Sequence, residues 1–303
     1  MAKVSEIKNT GEIVTLVTHA GNFHSDDVVA TAILRLYFLD KGIDTKTVRT
    51  FKPAEMGYTD ATPNCVIYDV GLGQYDHHQI GDEAKHCIRI DTNEDGTTVE
   101  RKYAAVGLLW KEIGEEIVGK YADVIYDSII RPIDNHDNGF GNNPLSTLIG
   151  AMNSINPDAT IEDHDNCFYK AVDVITVMLV SMFLKYKQQI KNEKELQKYA
   201  EAKPGSSCLV YNCYLSGADE VCREMGIPFY VYPNIRGGWC FKTICPDPKN
   251  LRVHLVDIPD EVRTWTGVTF LHPSCFLGSA VTKERAIEIC ETLCHAPYSN
   301  YLD

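Results

Sequence analysis

The chain has 303 residues, 44% apolar and 23% charged, with a formal net charge of −13. These values describe a globular protein of one large or two ordinary domains. They argue against a broad basic surface for duplex DNA, whose affinity comes from many Lys and Arg contacts. The 11 cysteines are scattered, without a Cys-x-x-Cys pair, and read as reduced thiols of a cytoplasmic protein rather than a disulfide frame. Residues 1–12 are polar and lack the apolar core of an export signal. The longest apolar run, 171–184, is interrupted by Asp173 and is short for a bilayer span, so no membrane partner is expected.

Residues 13–17 (Ile-Val-Thr-Leu-Val) predict a buried strand, which ends in Thr18-His19-Ala20-Gly21-Asn22-Phe23-His24-Ser25-Asp26-Asp27. A helix follows at once, because Val28, Val29, Ala32, Ile33, Leu36 and Tyr37 recur at helical spacing. Asp26 and Asp27 fall near its first turn, where carboxylates are favoured. His19, His24 and Asp26 at one strand–helix junction are candidate metal ligands, since side chains can converge there. The plainer alternative is a helix cap beside surface histidines.

Residues 44–50 predict a second, parallel strand. Cys65-Val66-Ile67-Tyr68 predicts a third, ending in Asp69-Val70-Gly71, and Tyr75-Asp76-His77-His78-Gln79 follows. A strand that delivers a carboxylate to its carboxyl end, then an imidazole-rich loop, is how an open α/β sheet builds a metal site. Imidazole and carboxylate oxygens suit manganese, iron, zinc or magnesium. Residues 86–90 predict another short strand, 103–113 a helix, and 121–133 a second helix. That helix runs into Arg131-Pro132-Ile133-Asp134-Asn135-His136-Asp137-Asn138-Gly139, with Pro132 weakening or bending its end. Asp134 and Asp137 sit three apart, so both can face one side of a turn. The alternative is an ordinary Asp/Asn/Gly turn. Alternating strands and helices predict an α/β domain with a mainly parallel sheet flanked by helices.

A long helix is expected over about 167–202, and Pro204-Gly205-Ser206-Ser207 marks a break. The domain boundary is placed there: 1–203 is a metal-binding α/β domain and 204–303 a smaller α+β domain. In the second part, 208–211, 228–232 and 239–244 read as strands, and 218–226 and 283–293 as helices. Residues 233–238 form a tight turn carrying Arg236. Residues 269–278 read as a strand and then a loop carrying His272 and Ser274. Arg236, His272 and Ser274 are candidates for binding an anion; the alternative is turn and packing residues.

The set Thr18-His19-x-Gly21-x-Phe23-His24-x-Asp26, Val70-Gly71, Tyr75-Asp76-His77-His78-Gln79, Arg131-Pro132-Ile133-Asp134-x-x-Asp137-Asn138-Gly139, Tyr232-Pro233 and Phe270-x-His272-x-Ser274-x-Phe276-x-Gly278 resembles the melanocyte-proliferating-gene family. That family is similar to the Asp-His-His (DHH) phosphoesterase superfamily, which includes RecJ-like exonucleases and manganese pyrophosphatases. The resemblance implies a DHH phosphoesterase-like α/β domain holding a divalent metal pair, usually manganese, with magnesium, cobalt or zinc as alternatives. It implies metal binding by His19, His24 and Asp26, a bridging carboxylate in Asp69, and a ligand in His77. His78 would support that ligand or contact phosphate, which with Asp69 makes the catalytic pair. Asp134 would close the second metal's shell, with Asp137 as the competing assignment. The family is described as 3′–5′ RNA exonucleases, so single-stranded RNA or a short oligonucleotide is the expected substrate. Water activated by the metal pair would attack phosphorus, with Arg236, His272 and Ser274 on the substrate. A small-molecule phosphohydrolase and a non-enzymatic metal-binding scaffold are the alternatives. The chain departs from the family at Gly278-Ser279-Ala280-Val281-Thr282, where a lysine is lost, at Arg285, which stands where glycine is usual, and at His136, which stands where an apolar residue is usual.

Overall fold

The computed structural model describes residues 3–93, 95–203, 205–245, 262, 264–273 and 276–294. The chain divides into two compact units, 1–186 and 187–303. The division falls inside the long helix, ahead of the Pro204 break.

The first unit is built on a three-stranded parallel sheet. Its strands are β1 (Val14–Thr18), β2 (Thr45–Arg49) and β3 (Cys65–Ile67), in the order β2-β1-β3. β1 is buried along its whole length, as the unbroken apolar-rich run of a central parallel strand requires. Helix α1 (Ser25–Asp40) follows β1 and is buried over most of its length, with Val28, Ala32 and Ile33 fully enclosed. Residues 86–90, expected as one more strand, form instead the end of a 3₁₀ turn and the start of a separate antiparallel hairpin. The hairpin pairs β4 (Ile88–Thr92) with β5 (Thr98–Lys102). At the hairpin's end the Asn93 N–H donates to the Thr97 carbonyl. α2 (Ala105–Val118) packs beside α1.

The helix expected over 121–133 forms and runs on to Asp137, with a change of hydrogen-bond register inside it. α3 (Ala122–Ile125) leads into a π-helical turn, Tyr126–Ile130, and then α4 (Arg131–Asp137). Pro132 closely follows the π-helical turn, so the helix changes register where Pro132 has no N–H to give. α5 (Pro144–Gly150) follows, and its first turn is capped by Asn143, whose side chain accepts from the Leu145 N–H.

α6 (Ile161–Glu201) has 41 residues and runs past the division. It is longer than the apolar run within it. By length and composition alone it is long and apolar enough to cross a membrane, against the sequence expectation. Phe168, Ala171, Val172, Ile175, Leu179 and Phe183 are buried at helical spacing. Phe168 packs on Phe23 and Phe183 on Trp110, so one face of the helix is buried, while Val174, Val177, Met178 and Leu184 on the other are exposed.

The second unit is α+β. Its sheet has the order β6-β7-β8-β10-β9, formed by β6 (Cys208–Val210), β7 (Phe229–Pro233), β8 (Trp239–Thr243), β9 (Val268–Leu271) and β10 (Leu277–Ala280). Helices α7 (Ala218–Glu224) and α8 (Lys283–Cys294) pack against it. β10 forms where the sequence predicts loop. Gly278 sits where a Cβ would run into the Phe241 ring, so the small residues are what lets this strand lie against β8. The described cysteines are all free thiols.

Candidate metal centre

Parallel pairing decides where the site lies. β1 and β3 run the same way, so His19 and Asp69 leave the sheet at the same end. Asp69 takes a left-handed backbone conformation, φ 56°, which turns its carboxylate toward His19 and His77. Aspartate tolerates that conformation better than most residues, and such strain collects at functional sites. Its Oδ2 is 3.3 Å from His19 Nε2, and its Oδ1 is 3.5 Å from His77 Nδ1 and 3.7 Å from His78 Nδ1.

The loop after β1 supplies His24, and the first turn of α1 supplies Asp26 and Asp27. Asp26, Asp27 and Asp69 are buried. Asp27 Oδ2 lies 3.1 Å from His19 Nε2, and Asp27 Oδ1 accepts from the His24 N–H. Asp137, at the end of α4, lies 3.0 Å from His77 Nε2 and 3.8 Å from His24 Nδ1. Three overlapping groups result, each with ligand atoms within 4.8 Å of one another. They are Asp69, Asp76, His77 and His78; His19, His24 and Asp69; and His24, Asp26 and Asp137. Asp69 and His24 each belong to two of them.

The electrostatics call for a cation. Among the described residues, the ion-pair partners of Asp27, Asp69 and Asp137 are imidazoles only. The His19 Nδ1–H donates to the Ala20 carbonyl, which leaves Nε2 as a lone pair aimed at two carboxylates. His19 Nε2, Asp26 Oδ1, Asp27 Oδ2, both Asp69 oxygens and His77 Nδ1 are buried without a hydrogen-bond partner. Buried acceptors that face one another unpaired are costly. A proton offsets part of that cost. Burial disfavours the charged His19 ring, but Asp27 and Asp69 outweigh it and hold its pKa up at about 10. Burial first, and then Asp69, Asp137 and Asp27, push the Asp26 carboxyl well above its ordinary range. Divalent cations fit the same donor set, which is imidazole nitrogen and carboxylate oxygen.

His78 differs from its neighbour. It is half exposed, stacks on His77 at 4.2 Å, and hydrogen-bonds through Nδ1 to Asp76 at 2.7 Å. That bond leads the causes that raise its pKa. Asp76 is buried and also accepts from the Leu72 and His78 N–H groups.

Of the residues expected as metal ligands, His19, His24, Asp26, Asp69, His77 and Asp137 come together, and Asp134 does not join them. Its Oδ1 accepts from the Ala104 N–H at the start of α2, and its Oδ2 pairs with the buried Arg89 at 3.1 Å. Gly107 leaves the space its carboxylate fills. Asp134 ties the β4–β5 hairpin to α2. Asp134→Asn is accordingly expected to lower stability by about 1–3 kcal/mol, the cost of leaving a buried group short of a partner, since burial already raises the Asp134 carboxyl and Arg89 keeps Asp91 and the Lys102 carbonyl, with metal uptake unchanged. Thermal melts and metal analysis of that variant check this.

Sequence reasoning reads Asp27 only as a first-turn acid and misses its place in the site. The doubled Asp directly after His24 is the available signal. Arg236 is exposed in the turn between β7 and β8, and His272 follows β9. Ser274 lies outside the described residues.

A family model labelled MYG1_exonuc and described as uncharacterised protein family UPF0160 matches residues 15–293. The MYG1 protein of Saccharomyces cerevisiae is 25% identical over 351 aligned positions, covering 96% of this chain and 99% of that protein. The MYG1 exonuclease of Homo sapiens is 24% identical, covering 93% and 86%. Among solved structures, RecJ from Thermus thermophilus in complex with Mn2+ aligns at 12% identity with a TM-score of 0.28. That alignment covers 96% of this chain but only 52% of the RecJ chain. Exonuclease RecJ bound to manganese aligns at 14% identity with a TM-score of 0.26, covering 97% and 93%. Scores this low carry no argument, whereas the family match spans almost the whole sequence. The chain belongs to the MYG1 family, UPF0160, as the resemblance of its His and Asp motifs implied.

Proposed function

We propose that this protein is a metal-dependent phosphodiesterase that trims single-stranded RNA or short oligonucleotides from the 3′ end. The observation that carries the reading is the overlap of the His and Asp groups on Asp69 and His24. Relatives bearing the name MYG1 exonuclease support it. Divalent cations, when bound, supply Lewis-acid stabilisation of phosphoryl oxygens and an acidified water as nucleophile. His19, His24, Asp26, Asp69, His77 and Asp137 are the residues that would hold them, with manganese as the proposed metal. Asp69 holds the centre together, since it faces both His19 and His77. His78 is held by Asp76 with its ring half exposed, so it can donate a hydrogen bond to a phosphate oxygen. No serine, cysteine or lysine nucleophile is needed.

The test uses metal-stripped full-length protein with manganese added back, and single-stranded RNA labelled at the 5′ end. Stepwise shortening of the labelled strand with release of mononucleotides is expected. Hydrolysis of pyrophosphate with intact RNA would move the protein to the small-molecule reading. Metal uptake without turnover of either substrate would leave only a metal-binding protein.

A further inference from the structure

The sheet of the second unit has two unlike faces. On one, Phe229, Val231, Phe241 and Ala280 pack with Ala286, Ile289, Cys290 and Leu293 of α8. On the other, Leu209 and Tyr230 are covered by Ala218, Val221 and Cys222 of α7. Among the described residues, that cover reaches β6 and β7. Cys240, Lys242, Phe270, Leu277 and Ser279, from β8, β9 and β10, belong to neither cluster.

Strand register shows what this open half displays. Tyr232 pairs with Cys240, Cys240 with Ser279, and Ser279 with Phe270. The four side chains therefore form one row across β7-β8-β10-β9 and share a face. A register shift between Ser279 and Ala280 leaves both Val268 and Leu271 on the α8 side. Thr269 and Phe270 consequently turn together to the open face, and Thr269 Oγ1 lies 2.8 Å from Ser279 Oγ.

The row has aromatic ends and a small-residue floor. At one end Tyr232 packs against Tyr214 at 5.1 Å, and Tyr214 is 55% exposed. At the other, Phe270 is 49% exposed and its ring is 6.4 Å from His272, which lies 4.3 Å from Phe276. Cys240 and Ser279 between them are buried. Three strand spacings put the two ends about 14 Å apart, a span open to successive unstacked bases.

We propose that this face, with Phe270 as its leading ring, stacks the unpaired bases of a single-stranded oligonucleotide. The proposal rests on the nuclease reading above and names how that substrate is held. Flat rings at the rim and a shallow small-residue floor suit nucleobases, and every base offers a π-face. In a chain of net charge −13, the adjoining turn carries the exposed Arg236. Lys242, in the neighbouring row, neutralises Asp219 through contacts at 2.8 and 2.6 Å. With Lys242 engaged there, the face has rings for the bases rather than a lysine clamp for the phosphates.

Fluorescence anisotropy tests this with full-length protein in chelator, so that binding is read whether or not turnover occurs. The probes are a labelled single-stranded RNA and an abasic strand of equal length and charge. Phe270→Ala should weaken binding of the base-bearing strand by about tenfold, the worth of one stacked base. The abasic strand should bind both proteins alike, and Phe270→Trp should restore the affinity. Equal affinity of parent and Phe270→Ala for the base-bearing strand overturns the proposal. So does an equal loss for both strands, which would point to damage in the sheet. A base-dependent difference without hydrolysis in manganese would uphold this face and sink the nuclease reading instead.

Discussion

Asp69→Asn is expected to slow manganese-dependent hydrolysis by at least about a thousandfold while the protein stays folded. The carboxylate faces His19 and His77 and is common to two of the three ligand groups. Losing a charge shared in this way removes several kcal/mol of stabilisation, and each ~1.4 kcal/mol is tenfold in rate. Asparagine is the informative replacement. It keeps the side-chain shape and accepts the φ of 56° that Asp69 adopts, whereas alanine would add about 1–2 kcal/mol of backbone strain. The metal-free variant should stay folded, because the His19 ring loses its contact with the Asp69 charge but keeps the one with Asp27. Single-turnover assays and melts in chelator read both effects. Full activity in the variant would remove Asp69 from the centre.

The second large effect is on metal-free stability. In chelator, the melting temperature should fall as pH rises from about 6.5 to 10, and manganese should abolish the part that comes from His19 and Asp26, leaving the smaller part below about 8 from Asp134, which burial raises and which is not among the proposed ligands. His19 is held up at about 10, from an ordinary 6.5, by Asp27 and Asp69 against the pull of burial. Asp26 is raised by burial and by its acidic neighbours. Groups raised on folding bind more protons in the folded state, so their contribution is complete below the unfolded values and lost as pH rises. Asp26 begins to lose it above the ordinary carboxylate range, and His19 loses it between 6.5 and 10. Asp76 and Asp137 are shifted downward, although burial opposes the shift. Their contribution disappears only in acid, outside this window. The loss should amount to several kcal/mol at the alkaline end. A bound cation takes the place of those protons, and ligands must give them up to bind it. A flat pH profile in chelator would show that the carboxylates are not crowded as the structure has them.

Much of the centre was legible because parallel strands leave their ends on one side. Two buried apolar runs, ending near His19 and at Asp69, point to two candidate ligands, and the family resemblance chooses that reading over a helix cap beside surface histidines. The Asp-His-His triplet adds His77. The choice between Asp134 and Asp137 was not legible, since both lie in α4 and residues three apart are offset by part of a turn, enough to meet different neighbours. The π-helical turn Tyr126–Ile130 also sets which way α4 as a whole faces, and its register change has no simple signature in the sequence. Asp134 then points to Arg89 and α2, and Asp137 to His77. Arg89 itself was hidden, because its strand belongs to a hairpin outside the parallel sheet. In the second unit, Gly278-Ser279-Ala280 has loop composition. Only the Phe241 ring pressed against Gly278 explains why a strand needs such residues. Asp27 was overlooked for a different reason: an acid in a helix's first turn already has a sufficient explanation.

The central claim is that these imidazoles and buried acids share divalent cations. Titration of manganese into metal-stripped protein, followed by the electron paramagnetic resonance of the free ion, tests it most directly. Uptake should saturate near a pair of ions per chain in the parent and in Asp134→Asn, and fall to one or none in Asp26→Asn and Asp69→Asn. A free-ion signal that tracks buffer alone at every step, or full uptake by Asp26→Asn and Asp69→Asn, would contradict it.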